Sequence, residues 1–166
     1  LLNKYYDGQI PDVPVDDEIL TAVDETVKKY REQIPKLRFR EALESTLALS
    51  AKGNEYLQHK EPWKNEANRD CLKSCALICK ALGVLLEPYL PESAAKLRNI
   101  FGVELSYDLK DISGKVGKPE HLFSKINAEE IKEKIEDRRN NTVFEKLDLR
   151  VAEVLEVKDH PRADKL

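Results

Sequence analysis

The sequence has no methionine, a single tryptophan, six glycines and three histidines in 166 residues, and the scarcity of the last two removes classes of function. With glycine this scarce and scattered, no glycine-rich phosphate loop, serine elbow or metal-spaced cluster occurs. His59, His121 and His160 stand singly, so no histidine-based catalytic or metal constellation is readable; expected catalytic residues are none, and expected metal ligands are none. No apolar run approaches the roughly 18 residues of a membrane span. "LLNKYYDGQIP" lacks the charged start and small-residue cleavage site of a secretory leader. The net charge of −3 excludes a bulk basic field, so a nucleic-acid partner has to be read by a local site. The chain opens on Leu1 without an initiator residue and stops at "HPRADKL", as expected of a piece of a longer protein.

Cysteine is also sparse. Cys71, Cys75 and Cys79 recur every four residues, on one face of a helix. They span about 12 Å at 1.5 Å per residue, too far for three thiolates to share one tetrahedral ion. They read as small core residues, and an odd count outside any disulfide framework fits a reducing cytoplasm.

What is present is helical: 41% hydrophobic and 36% charged residues, arranged in amphipathic stretches with short connectors. Asp7-Gly8 ends a first helical stub, and "IPDVP" continues as an extended connection. Asp16 is placed to cap a helix whose first turn carries Asp17 and Glu18, where negative charge suits the dipole. Leu20, Val23, Val27, Tyr30 and Ile34 give its stripe, and Pro35 its end. A second helix is predicted over 37–59, with Phe39, Leu43, Leu47, Ser50, Asn54 and Leu57 on one face, so that polar Asn54 interrupts an apolar stripe. A third is predicted over 65–86, stopping before Glu87-Pro88. A fourth covers 91–101, with proline in its first turn and Gly102 past its end. Helices of this length with short connectors predict an antiparallel bundle.

Residues 106–125 lack a period and read as loop. A charged helix follows, with Asn127 as cap, Glu130 closing a capping box, and Ile126 and Ile131 as the hydrophobic staple. After "NN" at 140 and 141 the period becomes two: Leu147, Leu149 and Val151 alternate with Asp148 and Arg150. The fold class is therefore mainly α, an antiparallel bundle over 1–126, a linker helix over 127–141, and over 142–166 a β segment too short to close a barrel.

The one tryptophan follows Pro62 at the polar end of the second helix, among Lys60, Glu61, Lys64 and Glu66. Two readings of Trp63 stand side by side. It packs under a loop while Asn54 caps a buried backbone group, or it offers a preoriented aromatic plane, beside the amide of Asn54, to an unstacked base.

Several stretches together resemble the methionyl-tRNA synthetase family. "LLNKYYDGQIP" and "FREALESTLALSAKGNEYLQHKEPWK" look like its anticodon-binding helical domain, in which an Asn-x-Tyr and then a Pro-Trp-Lys close the second bundle helix. Here those are Asn54, Tyr56, Pro62, Trp63 and Lys64. "LGVLLEPYLPESAAKL" and "PEHLFSKI" extend the likeness to about residue 126. The tail "FEKLDLRVAEVLEVKDHPRADKL" resembles the opening of the tRNA-binding oligonucleotide-fold (OB-fold) domain, through Leu147–Val151 and His160–Leu166.

The resemblance implies a fragment of a cytoplasmic enzyme that attaches methionine to its tRNA using ATP with magnesium. The fragment itself would hold no active site and no cofactor, and would contribute tRNA selection. Its partners would be methionine tRNA and, through a complete tail domain, a second subunit; no membrane is implied. Trp63 would contact a splayed anticodon base. Asn54 would lie beside it, and Lys4 would be a further phosphate or base contact or simply a solvated lysine. The family's Asn and Arg that read base edges would precede Leu1. Two alternatives remain: the anticodon-binding bundle of another class I synthetase, and a non-catalytic tRNA-binding adaptor or assembly scaffold.

Overall fold

Helix α4, Arg69–Leu85, is the centre of the helical unit formed by residues 1–124. In this computed structural model, which describes residues 1–64, 68–123 and 127–140, α4 packs against α2 (Asp17–Gln33), α3 (Phe39–Lys60) and α5 (Pro91–Phe101). The sequence places one face of this helix, that of Cys71, Cys75 and Cys79, in the core, but Leu72, Ala76, Leu77, Ile78, Ala81, Val84 and Leu85 are buried too, round most of its circumference. Burying each large aliphatic side chain contributes about 1.5–3 kcal/mol. A stub α1 (Leu2–Tyr5) precedes the bundle. Asp7 and Gly8 turn the chain there in the left-handed region, and a Cβ on Gly8 would stand 2.8 Å from the Val116 carbonyl oxygen. Glycine is required at that close approach.

The helix ends follow their signals. Asp16 Oδ1 accepts from the Glu18 amide at 3.1 Å, and Pro35 turns the end of α2 into a single 3-10 turn, Ile34–Lys36. Leu37 then takes a left-handed conformation, so α3 starts at Phe39, two residues later than the periodicity suggests. Gly102 closes α5 in the same conformation, with its amide on the Asn99 carbonyl.

The face of α3 differs from expectation. Its buried line is Ala42, Thr46, Leu49 and Tyr56, whereas Phe39, Leu47 and Asn54 are exposed. The two lines lie roughly 100° apart around the helix at 3.6 residues per turn. One reason is steric: at Gly53 helix α4 comes so close that a Cβ would stand 3.1 Å from Ile78 Cδ1, and the small Ala42 and Thr46 on the same line are fully buried. The Thr46 hydroxyl is satisfied inside the core by the Ala42 carbonyl at 2.9 Å.

The aperiodic stretch after α5 belongs to this core. Leu109, Ile112 and Val116 are buried in it, and an isolated antiparallel bridge joins Gln9 to Lys115. Residues from Lys125 onwards form a separate compact unit. Of that unit the structure describes α6 (Ala128–Asn140), capped by Asn127 Oδ1 on the Glu129 amide at 3.1 Å. The β segment and oligonucleotide-fold opening expected over 142–166 lie outside the described residues.

Candidate nucleic-acid interface

The end of α3 determines how Trp63 is displayed. Glu61, its C-cap, is left-handed with φ 43°. The Lys64 amide then returns to the Glu61 carbonyl at 2.9 Å, closing a turn with Pro62 and Trp63 at its two central positions. Proline suits the first of these because its φ is already set. Pro62 is fully buried and Trp63 is 40% exposed, so the turn roots its proline in the protein and leaves the indole partly open to solvent. The Lys64 ammonium sits 2.8 Å from Glu61 Oε1 across the same turn.

Beneath the turn lies a polar cluster that the sequence reading does not identify. The Lys60 ammonium is 3.1 Å from Asp16 Oδ2 and 3.9 Å from Asp70 Oδ2. The buried Tyr56 hydroxyl donates to the same Asp16 oxygen at 3.2 Å, and the Asp16 amide donates to Ser74 Oγ at 2.9 Å. The Lys60 carbonyl accepts from Asn68 Nδ2 at 2.6 Å. The Lys60 ammonium holds the Asp16 carboxyl below its ordinary range, against the opposing effect of burial, and burial pushes the Tyr56 phenol up. Asp16 is legible in sequence only as a helix cap. The one available signal for the rest is the i,i+4 spacing of Tyr56 and Lys60, which also puts the ammonium 5.3 Å from the ring centroid.

Asn54 is exposed on α3, and its amide makes no hydrogen bond among the described residues. It lies one turn before Leu57, which lines an apolar groove of about 350 Å³ with Leu2, Leu72, Cys75 and Cys79. On the other flank, Tyr56, His59 and Lys60 share a polar cleft of about 500 Å³ with Glu18, Lys52 and Glu55. Asn54 and Trp63 line neither, so both stand on open surface rather than in one of these cavities. Lys4 is exposed on α1, a different element, with its ammonium 4.9 Å from the Tyr5 ring centroid. Among the described residues no group of three His, Cys, Asp or Glu side chains could hold a metal ion, and no helix is long and apolar enough to cross a membrane.

A helix packed among three others is also the fold of solved synthetases. The methionyl-tRNA synthetase of Mycobacterium tuberculosis, solved with methionyl-adenylate bound, aligns with a TM-score of 0.66 at 21% identity, over 74% of this chain and 28% of that one. Residues 10–142 match the family described as the anticodon binding domain of methionyl tRNA ligase, and the chain belongs to that family. Among curated relatives, the methionine–tRNA ligase of Methanopyrus kandleri is 35% identical over 98% of this chain and 28% of its own length. That of Pyrococcus abyssi is 29% identical over 99% of this chain and 32% of its own length. The chain thus spans about a third or less of the relatives it matches.

Proposed function

We propose that this chain is the anticodon-reading part of a methionine–tRNA ligase, with Trp63 stacking on a base splayed from the anticodon loop of methionine tRNA. The observation that carries the reading is the pairing of a buried Pro62 with a partly exposed Trp63 on one closed turn, in a chain that belongs to the anticodon-binding family. Stacking needs a π face and tolerates any base, so specificity has to come from polar edges nearby. The exposed side-chain amide of Asn54, without a hydrogen bond among the described residues, is assigned that role. Lys4 is assigned the lesser role of a phosphate contact, supported by its exposure alone.

In this reading methionine, ATP and magnesium are handled by the catalytic body of the whole ligase, in the cytoplasm. Residues 1–126 form the anticodon module, 127–141 its linker helix, and 142–166 open an oligonucleotide-fold domain. The support for that last assignment is the sequence likeness of Leu147–Val151 and His160–Leu166. A complete domain of that type would pair two subunits. The family match favours the ligase over an adaptor or scaffold.

The test is Trp63→Ala in the full-length ligase. Charging of methionine tRNA should fall roughly 10- to 100-fold, matching the 1–3 kcal/mol of one aromatic stack, while methionine-dependent pyrophosphate exchange and the melting temperature stay unchanged. A collapse of melting temperature, with both activities falling together, would return Trp63 to the core.

A further inference from the structure

We infer that Asp16 is a positioning residue of this interface: through Lys60 it fixes the pose of the turn that presents Trp63. The inference rests on the stacking role proposed for Trp63. Lys60 is the last residue of α3, three positions before the indole. It is held at both ends: Asn68, the residue before α4, bonds its carbonyl, and Asp16, the residue before α2, pairs with its ammonium. Asp16 is itself fixed at three atoms. Oδ1 accepts from the first turn of α2, Oδ2 accepts from Tyr56 of α3, and its amide reaches Ser74 of α4. One aspartate therefore joins α2, α3 and α4 and holds Lys60, the residue just before the turn.

The ion pair is partly open to water, with side chains 31% and 26% exposed, so it adds little to global stability. Its consequence is geometric. Helix ends fray unless their last groups are engaged, and a fraying last turn of α3 would carry Glu61, Pro62 and Trp63 with it. Stacking gains when the ring is already in place, since ordering a side chain at the moment of binding costs affinity; by that scale the latch is worth roughly a 3- to 10-fold change in affinity.

Asp16→Asn separates the latch from the cap. Asparagine caps a helix as well as aspartate does, so the bond to the Glu18 amide survives, while the charge that holds Lys60 and the acceptor for Tyr56 are lost. Trp63 is the only tryptophan in the sequence, so fluorescence of the 166-residue chain reports on it alone. In Asp16→Asn, acrylamide should quench the indole more efficiently and its anisotropy should fall in the folded chain, while the lost acceptor for the buried Tyr56 hydroxyl lowers the melting temperature somewhat. Lys60→Met, which leaves Tyr56 bonded to Asp16, should leave the melting temperature nearly unchanged. Binding of a hairpin RNA carrying the methionine anticodon should weaken roughly 3- to 10-fold.

Lys60→Met should reproduce the quenching and the weaker binding, and Lys60→Arg should restore both. The double variant Asp16→Asn/Lys60→Met should be no worse than either single change, as expected for two residues acting as one unit. If Trp63→Ala weakens the RNA and Asp16→Asn changes neither fluorescence nor binding, the latch is overturned and the stacking role stands. If Trp63→Ala has no effect on RNA binding, the stacking role itself fails. A melting temperature that drops in step with affinity in Lys60→Met makes the pair merely structural and also overturns the inference; should Asp16→Asn not fold, the Lys60→Met and Lys60→Arg pair decides by the same readouts.

Discussion

Lys73, buried in α4 with its side chain 6% exposed, ends 2.9 Å from Asp111 Oδ1, whose own side chain is 63% exposed. Two turns further on, Lys80 donates to the Asp111 backbone carbonyl at 2.9 Å. Two lysines of one helix thus pin a single loop residue, and the loop carries Leu109, Ile112 and Val116 into the core. Asp111→Ala strands a buried ammonium and should cost about 1–3 kcal/mol, less than a fully buried pair because water reaches the aspartate side. Lys73→Met keeps the apolar stem and removes the charge, so it should cost less. Urea unfolding of the two variants decides; Lys73→Met being the more damaging would show that the pair is not the anchor.

The same pair and the Asp16 cluster set a pH dependence. Lys73 depresses the carboxyl of Asp111, and Lys60 that of Asp16, below the ordinary aspartate value of 3.8. A depressed folded value means that the folded chain holds fewer protons than the unfolded one. The stability these groups add is therefore present above the ordinary value and lost as pH falls through the folded values. Melting temperature should drop from about pH 5 towards about pH 2, and the double variant Asp16→Asn/Asp111→Asn should show a shallower slope there. Calorimetry at a series of pH values would measure this; parallel slopes in the two proteins would remove these carboxylates from the account.

The sequence showed most of what local chemistry determines. Asp16, Pro35, Pro91 and Gly102 act on their own neighbours, so the helix ends follow from residue type. The buried face of α3 is different, because it depends on which neighbour comes close. Gly53 admits α4 and the small Ala42 and Thr46 are buried on the same line, while the larger Phe39 and Leu47 that dominate a hydrophobicity pattern stay outside. The loop residues Leu109, Ile112 and Val116 have no period because each enters the core from irregular backbone. Trp63 and Pro62 could be picked out as a pair, while the polar cluster under them joins residues from three helices and becomes visible only once those helices are packed.

The cysteines read as a uniform core stripe, and the structure divides them. Cys71 is buried, whereas Cys75 and Cys79 are half-buried and line the groove beside Leu57 and Leu72. Burial pushes the Cys79 thiol up to about 11. The Cys75 thiol is raised by its hydrogen bond to Cys71 and by burial. The same hydrogen bond lowers the Cys71 thiol, but Cys71 is fully buried and closed to reagent. Since the thiolate is the reactive form, Cys75 and Cys79 are slowed by their raised thiols and Cys71 by burial, so all three should react slowly with a thiol reagent at about pH 8 and rapidly in denaturant. Within the native protein Cys75 and Cys79 should be labelled before Cys71, and Cys79 should accelerate as pH approaches 11. Peptide mapping after timed labelling gives the order. Cys71 labelled first would mean that α4 opens where the structure packs it most tightly.

The open face of α3 gives the sharpest comparison, since Leu47 and Leu49 are two residues apart and 51% and 2% exposed. Leu49→Ala empties core volume and should cost about 2–5 kcal/mol. Leu47→Ala removes a side chain that half faces water and should stay within about 0.5 kcal/mol. The reverse order would restore the face that hydrophobic spacing alone suggests. Asn54 shares the Leu47 side of the helix, and its side-chain amide has no hydrogen bond among the described residues to lose, so Asn54→Ala should leave the melting temperature unchanged. That makes it a clean probe of the interface. If its amide bonds a base edge, the variant should bind the anticodon hairpin roughly 2- to 12-fold more weakly, the equivalent of one hydrogen bond of 0.5–1.5 kcal/mol. Unchanged binding, alongside a clear loss in Trp63→Ala, would leave the indole as a contact and take Asn54 out of the site.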